Sequence, residues 1–507
     1  MLWVGGLVHG DYLIVCRIHH IIADLALLSD AVRCRNVYSA ATFFNTAMFM
    51  LERIEAITTR AADLAWGPWL LVLLLGGGLY FLIRSRFTPF RYLPHAFALL
   101  RGRYNDESDP GHITHFKALS TALAGTIGLG NIAGVALAIT IGGPGAIFWM
   151  WMTAIVGMAT KFFTCSLAVM FRGRDSEGQL QGGPMYVIRE ALPKRFHWLA
   201  YMFAIVGSIG ALPALQSNQL IQIFRDLVFV EHGWLTADSN PFTFNLLGGL
   251  LLAGVTASVI FGGISRIATF AAALVPSMSL LYVGAVAIAL LVNFEAVPGA
   301  FALIFQDALS GESAASGGLL AMILYGVRRG AFSNEAGMGT EAMAHGAART
   351  SEPIREGLVA MLGPVIDTLL VCTATALMIL VSGVWQGHTA EGVTLTAQAF
   401  SLLLGPAGTV VVFTCVVTFA LTTIFTGSFY GSQCISFLFG AHRKTIYLVV
   451  YVAFILIACV ISINAAISII DASFALMAIP TMVSAIWLAP KVMVAAEAYW
   501  VKLRTSP

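Results

Sequence analysis

Charge is what this 507-residue chain has least of: acidic and basic residues together make up 11%, against roughly 25% in an ordinary soluble protein. So few charges cannot cover a water-facing surface, which excludes a soluble enzyme. Neither sign is in excess, and a net charge of +2 supplies no basic field for a nucleic-acid partner. The seven cysteines are an odd number with no Cys-x-x-Cys pair, and most lie in apolar runs. They read as small buried hydrophobes rather than a disulfide framework. A polytopic membrane enzyme would need paired carboxylates, His-Glu-x-x-His or Gly-x-Ser-x-Gly within the bilayer, and the sequence has none of these. The 11 histidines are scattered. The adjacent His19 and His20 would point about 100° apart on a helix, so no metal cluster is expected.

Apolar residues are abundant, at 58%, with a mean hydropathy of +0.84. A helix needs about 20 apolar residues to cross the hydrocarbon of a bilayer, and the sequence holds about eleven such runs. They fall at 65–84, 118–141, 146–171, 198–225, 244–262, 266–292, 317–345, 357–383, 407–431, 446–463 and 466–489. Basic residues collect in alternate loops: Arg84 to Arg103, Arg172 to Arg195, Arg266, Arg349 with Arg355, Arg443 with Lys444, and Lys491 to Arg504. The intervening loops carry Asp226, Glu231 and Asp238, then Glu295, Asp307 and Glu312, then Glu391. Short basic loops are retained on the cytoplasmic side. The first span therefore begins outside and the C-terminus lies in the cytoplasm, as an odd number of spans requires. The expected location is a plasma membrane, of the bacterial inner-membrane type, with the bilayer as the main partner and no obligate protein partner evident.

Residues 1–47 do not follow this pattern. Their two modest apolar stretches are interrupted by His9, Asp11, Arg17, His19, His20, Asp24 and Asp30, without a signal-peptide layout. The simpler account is an untranslated extension, with translation starting at Met48 or Met50 and 48–507 forming one domain. The stretch LERIEAITTRAADLAW would then be a short lead-in helix at the outer interface.

Two spans are poor continuous helices. The second, STALAGTIGLGNIAGVALAITIGGPGAIFWMW, gathers Gly125, Gly128, Gly130 and Gly134 around the lone amide Asn131. A small-xxx-small packing face explains part of this. A dinucleotide loop does not, because the glycine spacing is wrong and no strand precedes it. A discontinuous helix explains the amide as well, since a polar side chain in mid-membrane needs a partner. The seventh span, GGLLAMILYGVRRGAFSNEAGMGTEAMAHGAART, is interrupted by Gly326, Arg328, Arg329, Gly330, Asn334, Glu335, Gly337 and Gly339. Its break is expected near Gly326, with Glu335 available to Arg328 or Arg329. Spans two to six (118–292) and seven to eleven (317–489) are then inverted five-helix repeats, each opening on a discontinuous helix. That arrangement points to a secondary transporter with a midplane site. Thr418, Thr422, Thr423 and Thr426 recur at helical spacing in span nine. Each hydroxyl either back-bonds within its own helix or joins a sodium site. Gln216, Asn218 and Gln219 group three amides on span four.

Taken together these residues resemble the alanine or glycine:cation symporter family. The resemblance rests on Gly142-Gly-Pro-Gly-Ala-Ile-Phe-Trp-Met-Trp151 with MTAIVGMATKF, and on TALAGTIGLGNIAGVA, GGPMYVI, FGGISRIA, RRGAFSNEAGMG and MLGPVIDTLLVC, in order over about residues 60–490. It implies a leucine-transporter-like architecture with one extra N-terminal helix. It also implies sodium-coupled uptake of a small neutral amino acid by alternating access, with Na+ as coupling ion and no other cofactor. A proton-coupled carrier of another zwitterion is the alternative, and a passive channel is weaker because no repeated pore loop is present. Carried over residue by residue, Thr126 and the Leu129-Gly130 main chain would hold substrate, with Gln216 facing it and Gly326 and Gly427 lining the pocket. Carbonyls of Ala124 and Ile127 with hydroxyls of Thr422 and Thr423 would resemble the sodium cage. Gly125, Gly128 and Asn131 would shape the unwound segment. Three departures stand out. Gly427 replaces a tryptophan common in the family, which implies room for a larger substrate. Met338-Gly-Thr-Glu-Ala342 replaces Met-Gly-Ser-Ala-Pro, and Thr164 replaces a glutamate common after Lys161-Phe-Phe.

Overall fold

A computed structural model describes residues 57, 59–60, 62–230, 233–236, 240–310, 318–387, 392–461 and 463–505. The extension 1–47, His19-His20 and half of the lead-in stretch lie outside these residues, as do the loop acids Glu231, Asp238, Glu312 and Glu391. Contacts divide the chain into Met1–Ile57 and Thr58–Pro507, and the second unit holds nearly all the described residues.

That unit is almost entirely helical. In chain order its helices are α1 (Pro68–Arg84), α2 (His115–Thr126), α3 (Ala133–Gly142), α4 (Ala146–Met170), α5 (Pro184–Ala191) and α6 (Trp198–Gly210). There follow α7 (Ala214–Phe224), α8 (Phe242–Ile260), α9 (Gly263–Val292), α10 (Val297–Ser310) and α11 (Gly318–Asn334). The remainder are α12 (Thr340–Gly346), α13 (Pro353–Ser382), α14 (Gly392–Leu404), α15 (Pro406–Phe439), α16 (Lys444–Val460) and α17 (Ile463–Thr505). A two-stranded hairpin, β1 (Gly173–Arg174) against β2 (Leu180–Gln181), is the only sheet among the described residues.

Among the described residues eight helices are long and apolar enough to cross a membrane, or nine when α2 and α3 count as one bent span. Two of the eleven expected runs do not meet that criterion. The first falls on α1, and the seventh is split between α11, which carries Arg328 and Arg329, and α12. Local chemistry sets many ends. Proline opens α1, α5, α13 and α15, where its missing N–H costs nothing. Gly383 at φ 72° ends α13, in the left-handed conformation that glycine adopts without penalty. Aliphatic side chains on α6, α8 and α9 stay exposed, among them Ile205, Leu250, Leu251, Leu280 and Leu291. Apolar groups facing outward on helices of this length meet lipid. The loops hold further structure: α10 buries Asp307, whose carboxylate accepts from the Gly145 N–H at 2.7 Å.

Candidate functional site

The helix break begins with one diverted hydrogen bond. In a continuous helix the Gly128 N–H would donate to the Ala124 carbonyl four residues back. Instead it donates to Asn131 Oδ1 at 3.0 Å, and Ile127 leaves the helix with ψ 90°. A short turn over Leu129–Asn131 follows before α3 resumes, bent 58° from α2. Asn131 is itself held: its amide nitrogen donates to Asp367 Oδ1 at 2.6 Å and to Ser333 Oγ at 3.3 Å. Asp367 Oδ2 accepts from Ser333 Oγ at 2.6 Å and Thr368 Oγ1 at 2.8 Å. A buried carboxylate is costly unless such donors surround it, so the knot fastens the start of α3 to α11 and α13.

The freed Ala124 carbonyl accepts from Thr423 Oγ1 at 3.0 Å, across from α15. Gly128 lies against the same hydroxyl, where a Cβ would stand 2.7 Å from it. Thr422 points elsewhere, to the carbonyls of Thr418 (2.9 Å) and Phe419 (3.1 Å) and toward Met278 Sδ at 3.9 Å. Neighbouring helix positions differ by about 100°, so one of the paired threonines meets the break and the other meets α9.

Thr126 is buried at the end of α2, and Gly130 faces the Phe332 ring, with a Cβ there only 2.9 Å from Cε1. The Phe332 and Phe474 rings pack with centroids 5.4 Å apart beside the break. The other side of the break, at the acidic end, is covered by α14: Thr396 Oγ1 donates to the Ile132 carbonyl at 3.3 Å. Gln216 is half-buried near the start of α7, whereas Asn218 donates to the Ile461 carbonyl at 2.7 Å and Gln219 to Gln222 at 2.8 Å. Two of the three amides are joined, because Gln219 Nε2 also donates to Asn218 Oδ1 at 3.3 Å.

Three sequence expectations need correction. First, α11 runs unbroken through Gly326 and Arg329 to Asn334, and the chain breaks at Glu335–Gly339 instead. Left-handed residues mark it: Glu335 at φ 54°, Gly337 at 86° and Gly339 at 91°. Second, Glu335 accepts from Thr340 Oγ1, not from an arginine. The arginines are neutralised by Asp471 of α17, which accepts from Arg328 Nη2 at 2.7 Å and Arg329 Nη2 at 2.5 Å. That partner, distant in sequence, lets α11 stay helical across its charges. Third, Gly326 and Gly427 are close-packing glycines. A Cβ on Gly326 would stand 2.5 Å from the Ala146 carbonyl oxygen, and one on Gly427 would stand 2.7 Å from that of Ala211 and 2.9 Å from the Tyr451 hydroxyl.

At the end where the arginine loops gather, buried Glu356 of α13 sits between two imidazoles. It accepts from His115 of α2 and from His345 of α12, the latter at 2.5 Å. Arg172 clamps two loops together, through the carbonyls of Gly346 (2.8 Å) and Thr350 (3.0 Å) after α12 and of Pro110 (3.1 Å) before α2. Burial lowers its pKa to about 10, which leaves it protonated at neutral pH. Between this end and the break lies Lys161, fully buried, whose charge interacts with the carboxyls of Glu335, Glu341 and Asp367. Two of the sequence departures meet here, because Thr164 Oγ1 donates to Glu341 Oε1 at 3.3 Å. The carboxyl absent at 164 is supplied from across the α4–α12 contact. Sequence reading named Lys161 and Glu341 without giving them a role, and it did not single out Glu356, Asp367 or Asp471. The available signal was simple: an ionisable residue inside an apolar run is a functional candidate by default.

A bent pair of half-helices, a second broken helix and polar groups converging between them define a membrane carrier. The comparisons specify which kind. The sodium:alanine symporter family matches residues 51–506, and the chain belongs to that family. It is 38% identical over 456 residues to an uncharacterised transporter of Haemophilus influenzae, covering 89% of this chain and 97% of that one. It is 38% identical over 442 residues to the sodium/alanine symporter AgcS of Methanococcus maripaludis (86% and 94% covered). Against the probable sodium/glutamine symporter GlnT of Bacillus subtilis it is 34% identical over 455 residues (89% and 91% covered). The crystal structure of MhsT in complex with L-phenylalanine superposes with a TM-score of 0.53 at 13% identity, over 76% of this chain and 98% of that one. This likeness shows the leucine-transporter-type fold. The chain is thus a multi-pass membrane transporter and not an enzyme.

Proposed function

We propose that this carrier moves a small neutral amino acid into the cell together with Na+, by alternating access about the α2–α3 break. The observation that carries the reading is the Ala124 carbonyl, released from its helix and lying 3.0 Å from Thr423 Oγ1. A carbonyl and a hydroxyl from two helices are the hard oxygen ligands a sodium ion takes, and freed carbonyls at a broken helix suit a coupling cation. In this reading Ala124, Ile127 and Thr423 hold Na+. The N–H groups at Leu129 and Gly130, at the start of the second half-helix, receive the substrate carboxylate where the helix dipole is positive. Thr126 and Gln216 face the rest of the substrate, while Gly128 and Asn131 keep the segment unwound and Gly125 lets α15 approach the last turn of α2.

The arginine-rich loops lie in the cytoplasm, the C-terminus with them, and the membrane is the plasma membrane. Residues 118–292 and 317–489 serve as the two inverted halves. The names of AgcS and GlnT favour alanine or glutamine as substrate. Uptake of labelled alanine into proteoliposomes, with and without an inward sodium gradient, tests the function. Accumulation that a sodium ionophore abolishes is expected, and accumulation indifferent to sodium would overturn the reading. Competition by glycine, alanine, serine, valine and glutamine then fixes the substrate class.

A further inference from the structure

Five threonines lie along α15 between Thr414 and Thr426, and four of them spend their hydroxyls on the preceding turn. Thr414 donates to the Val410 carbonyl, Thr418 to Thr414 and Thr422 to Thr418, at 2.8–2.9 Å, and Thr423 shares its one proton between the Phe419 carbonyl at 2.9 Å and the Ala124 carbonyl at 3.0 Å. Back-bonding of this kind is the default for threonine in a membrane helix. Thr426 breaks the rule: its Oγ1 is fully buried and has no hydrogen-bond partner among the described residues. One turn further on, the Tyr430 hydroxyl is also buried and also without one. Both side chains press on Gly125, where a Cβ would stand 3.3 Å from Tyr430 Oη and 3.5 Å from Thr426 Cγ2. They therefore lie beside the last turn of α2, next to the Ala124 carbonyl. Across from them, α12 carries Glu341, fully buried, with Oε1 held by Thr164 and Oε2 without a partner. Tyr430 and Glu341 are close enough to interact electrostatically.

Three unpartnered oxygens, one of them on a carboxylate, are an expensive arrangement to bury unless something occupies it part of the time. The kind of atom points to a cation, since all three are hard oxygen donors and one of them belongs to a carboxyl. The same face of α15 continues to Gln433, whose buried Oε1 is likewise unpartnered. Gln433 lines a cavity of about 300 Å³ with Ser432, Lys444, His112 and Gln181, at the arginine-rich end. We propose that Thr426 Oγ1, Tyr430 Oη and Glu341 Oε2 form a second sodium position on the cytoplasmic side of the Ala124–Thr423 cage, through which the ion leaves toward this cavity. Two hydroxyls and one carboxylate oxygen are hard ligands of the right class. Lys161 competes for the same carboxylate, so the stay is brief. The proposal rests on the sodium-coupled reading above.

The test uses right-side-out membrane vesicles and labelled alanine, with sodium varied separately on the two faces. Internal sodium should inhibit initial uptake by refilling the inner position. Glu341→Gln and Tyr430→Phe are expected to raise the half-inhibitory internal sodium at least about fivefold, while the half-saturating external sodium moves less than about twofold. Tyr430→Phe keeps the ring against Gly125 and removes one oxygen. With Thr426→Val it carries the test should Glu341→Gln fail to assemble. An unmoved internal value, as water in place of the ion would give, overturns the inner position. Internal and external values that shift by one factor overturn it too, because the groups then belong to the cage. Unmutated protein indifferent to external sodium would instead overturn the symport reading itself.

Discussion

At the scale of single residues, the decisive feature is what a hydroxyl meets beyond its own helical turn. Thr422 and Thr423 are chemically identical neighbours, yet one meets α9 and the other meets the freed carbonyl of α2. Replacement by valine keeps the shape and removes the hydroxyl. A hydroxyl that ligates a bound cation contributes on the order of 1–3 kcal/mol, and each 1.4 kcal/mol is about tenfold in affinity. Thr423→Val is therefore expected to raise the half-saturating external sodium by about tenfold, while Thr422→Val stays within about threefold, as sodium titrations of alanine uptake would show. Equal effects would mean that the pair acts as a unit. Gly427 carries a second prediction. A side chain there meets the Ala211 carbonyl and the Tyr451 hydroxyl, so Gly427→Trp is expected to cut the yield of folded protein rather than narrow specificity. Size-exclusion chromatography of the solubilised variant checks this. Monodisperse Gly427→Trp at unmutated yield would return Gly427 to the pocket wall.

At the scale of elements, buried charges fasten helices that the apolar effect cannot, since lipid is as apolar as leucine. Asp471 joins α17 to α11 through two arginines. Asp471→Asn leaves Arg329 without its countercharge and Arg328 with only the exposed Asp63 at 3.5 Å, and stranding a buried charge costs about 3–5 kcal/mol. A clear fall in the melting temperature of the solubilised protein is expected, and an unchanged one would show that water or lipid compensates the arginines. The contact of Thr164 with Glu341 gives a paired test between α4 and α12. Glu341→Ser alone should lower the yield of folded protein, and adding Thr164→Glu should recover it by returning a carboxyl to the same place. No recovery would mean that the two positions are not interchangeable. Outside the membrane, Asp175 of the β1–β2 hairpin accepts from Lys444 Nζ at 2.9 Å. Burial opposes its ionisation. Lys444 and the backbone N–H groups of Gln179 and Glu177 outweigh that and hold the carboxyl below its usual range. The tie between hairpin and α16 is thus fully present above the ordinary aspartate value near 3.9, and is lost as pH falls through the lowered folded-state value. Lys444→Gln should weaken this acid sensitivity, seen as a flatter dependence of melting temperature on pH below about 4.

For the whole molecule, the two breaks, the covering helix α14 and the buried charges describe a carrier with one end covered and a cavity at the other. Its topology is testable without function. Single cysteines placed at Arg103 and Glu352, in a cysteine-free background, should react with an impermeant thiol reagent only after the membrane is opened, and one placed at Glu295 should react in intact cells. The reverse pattern would invert the orientation.

The sequence by itself determined the membrane class, most of the spans, the break around Gly128–Asn131 and the symporter family, because these rest on composition, periodicity and contiguous motifs. The 11% charge and the apolar runs can be satisfied in one environment only. Tertiary structure decided what depends on partners distant in the chain. It moved the second break from Gly326 to Glu335–Gly339, because Asp471, more than a hundred residues away, neutralises Arg328 and Arg329 within a continuous helix. It chose Thr423 over Thr422, a difference set by helix rotation that composition cannot express. It turned Gly326 and Gly427 into packing contacts, and it brought Lys161, Thr164, Glu341, His345 and Glu356 together, residues that in sequence are isolated polar atoms in apolar text. Side-chain direction and long-range pairing are fixed only when every helix has found its neighbours.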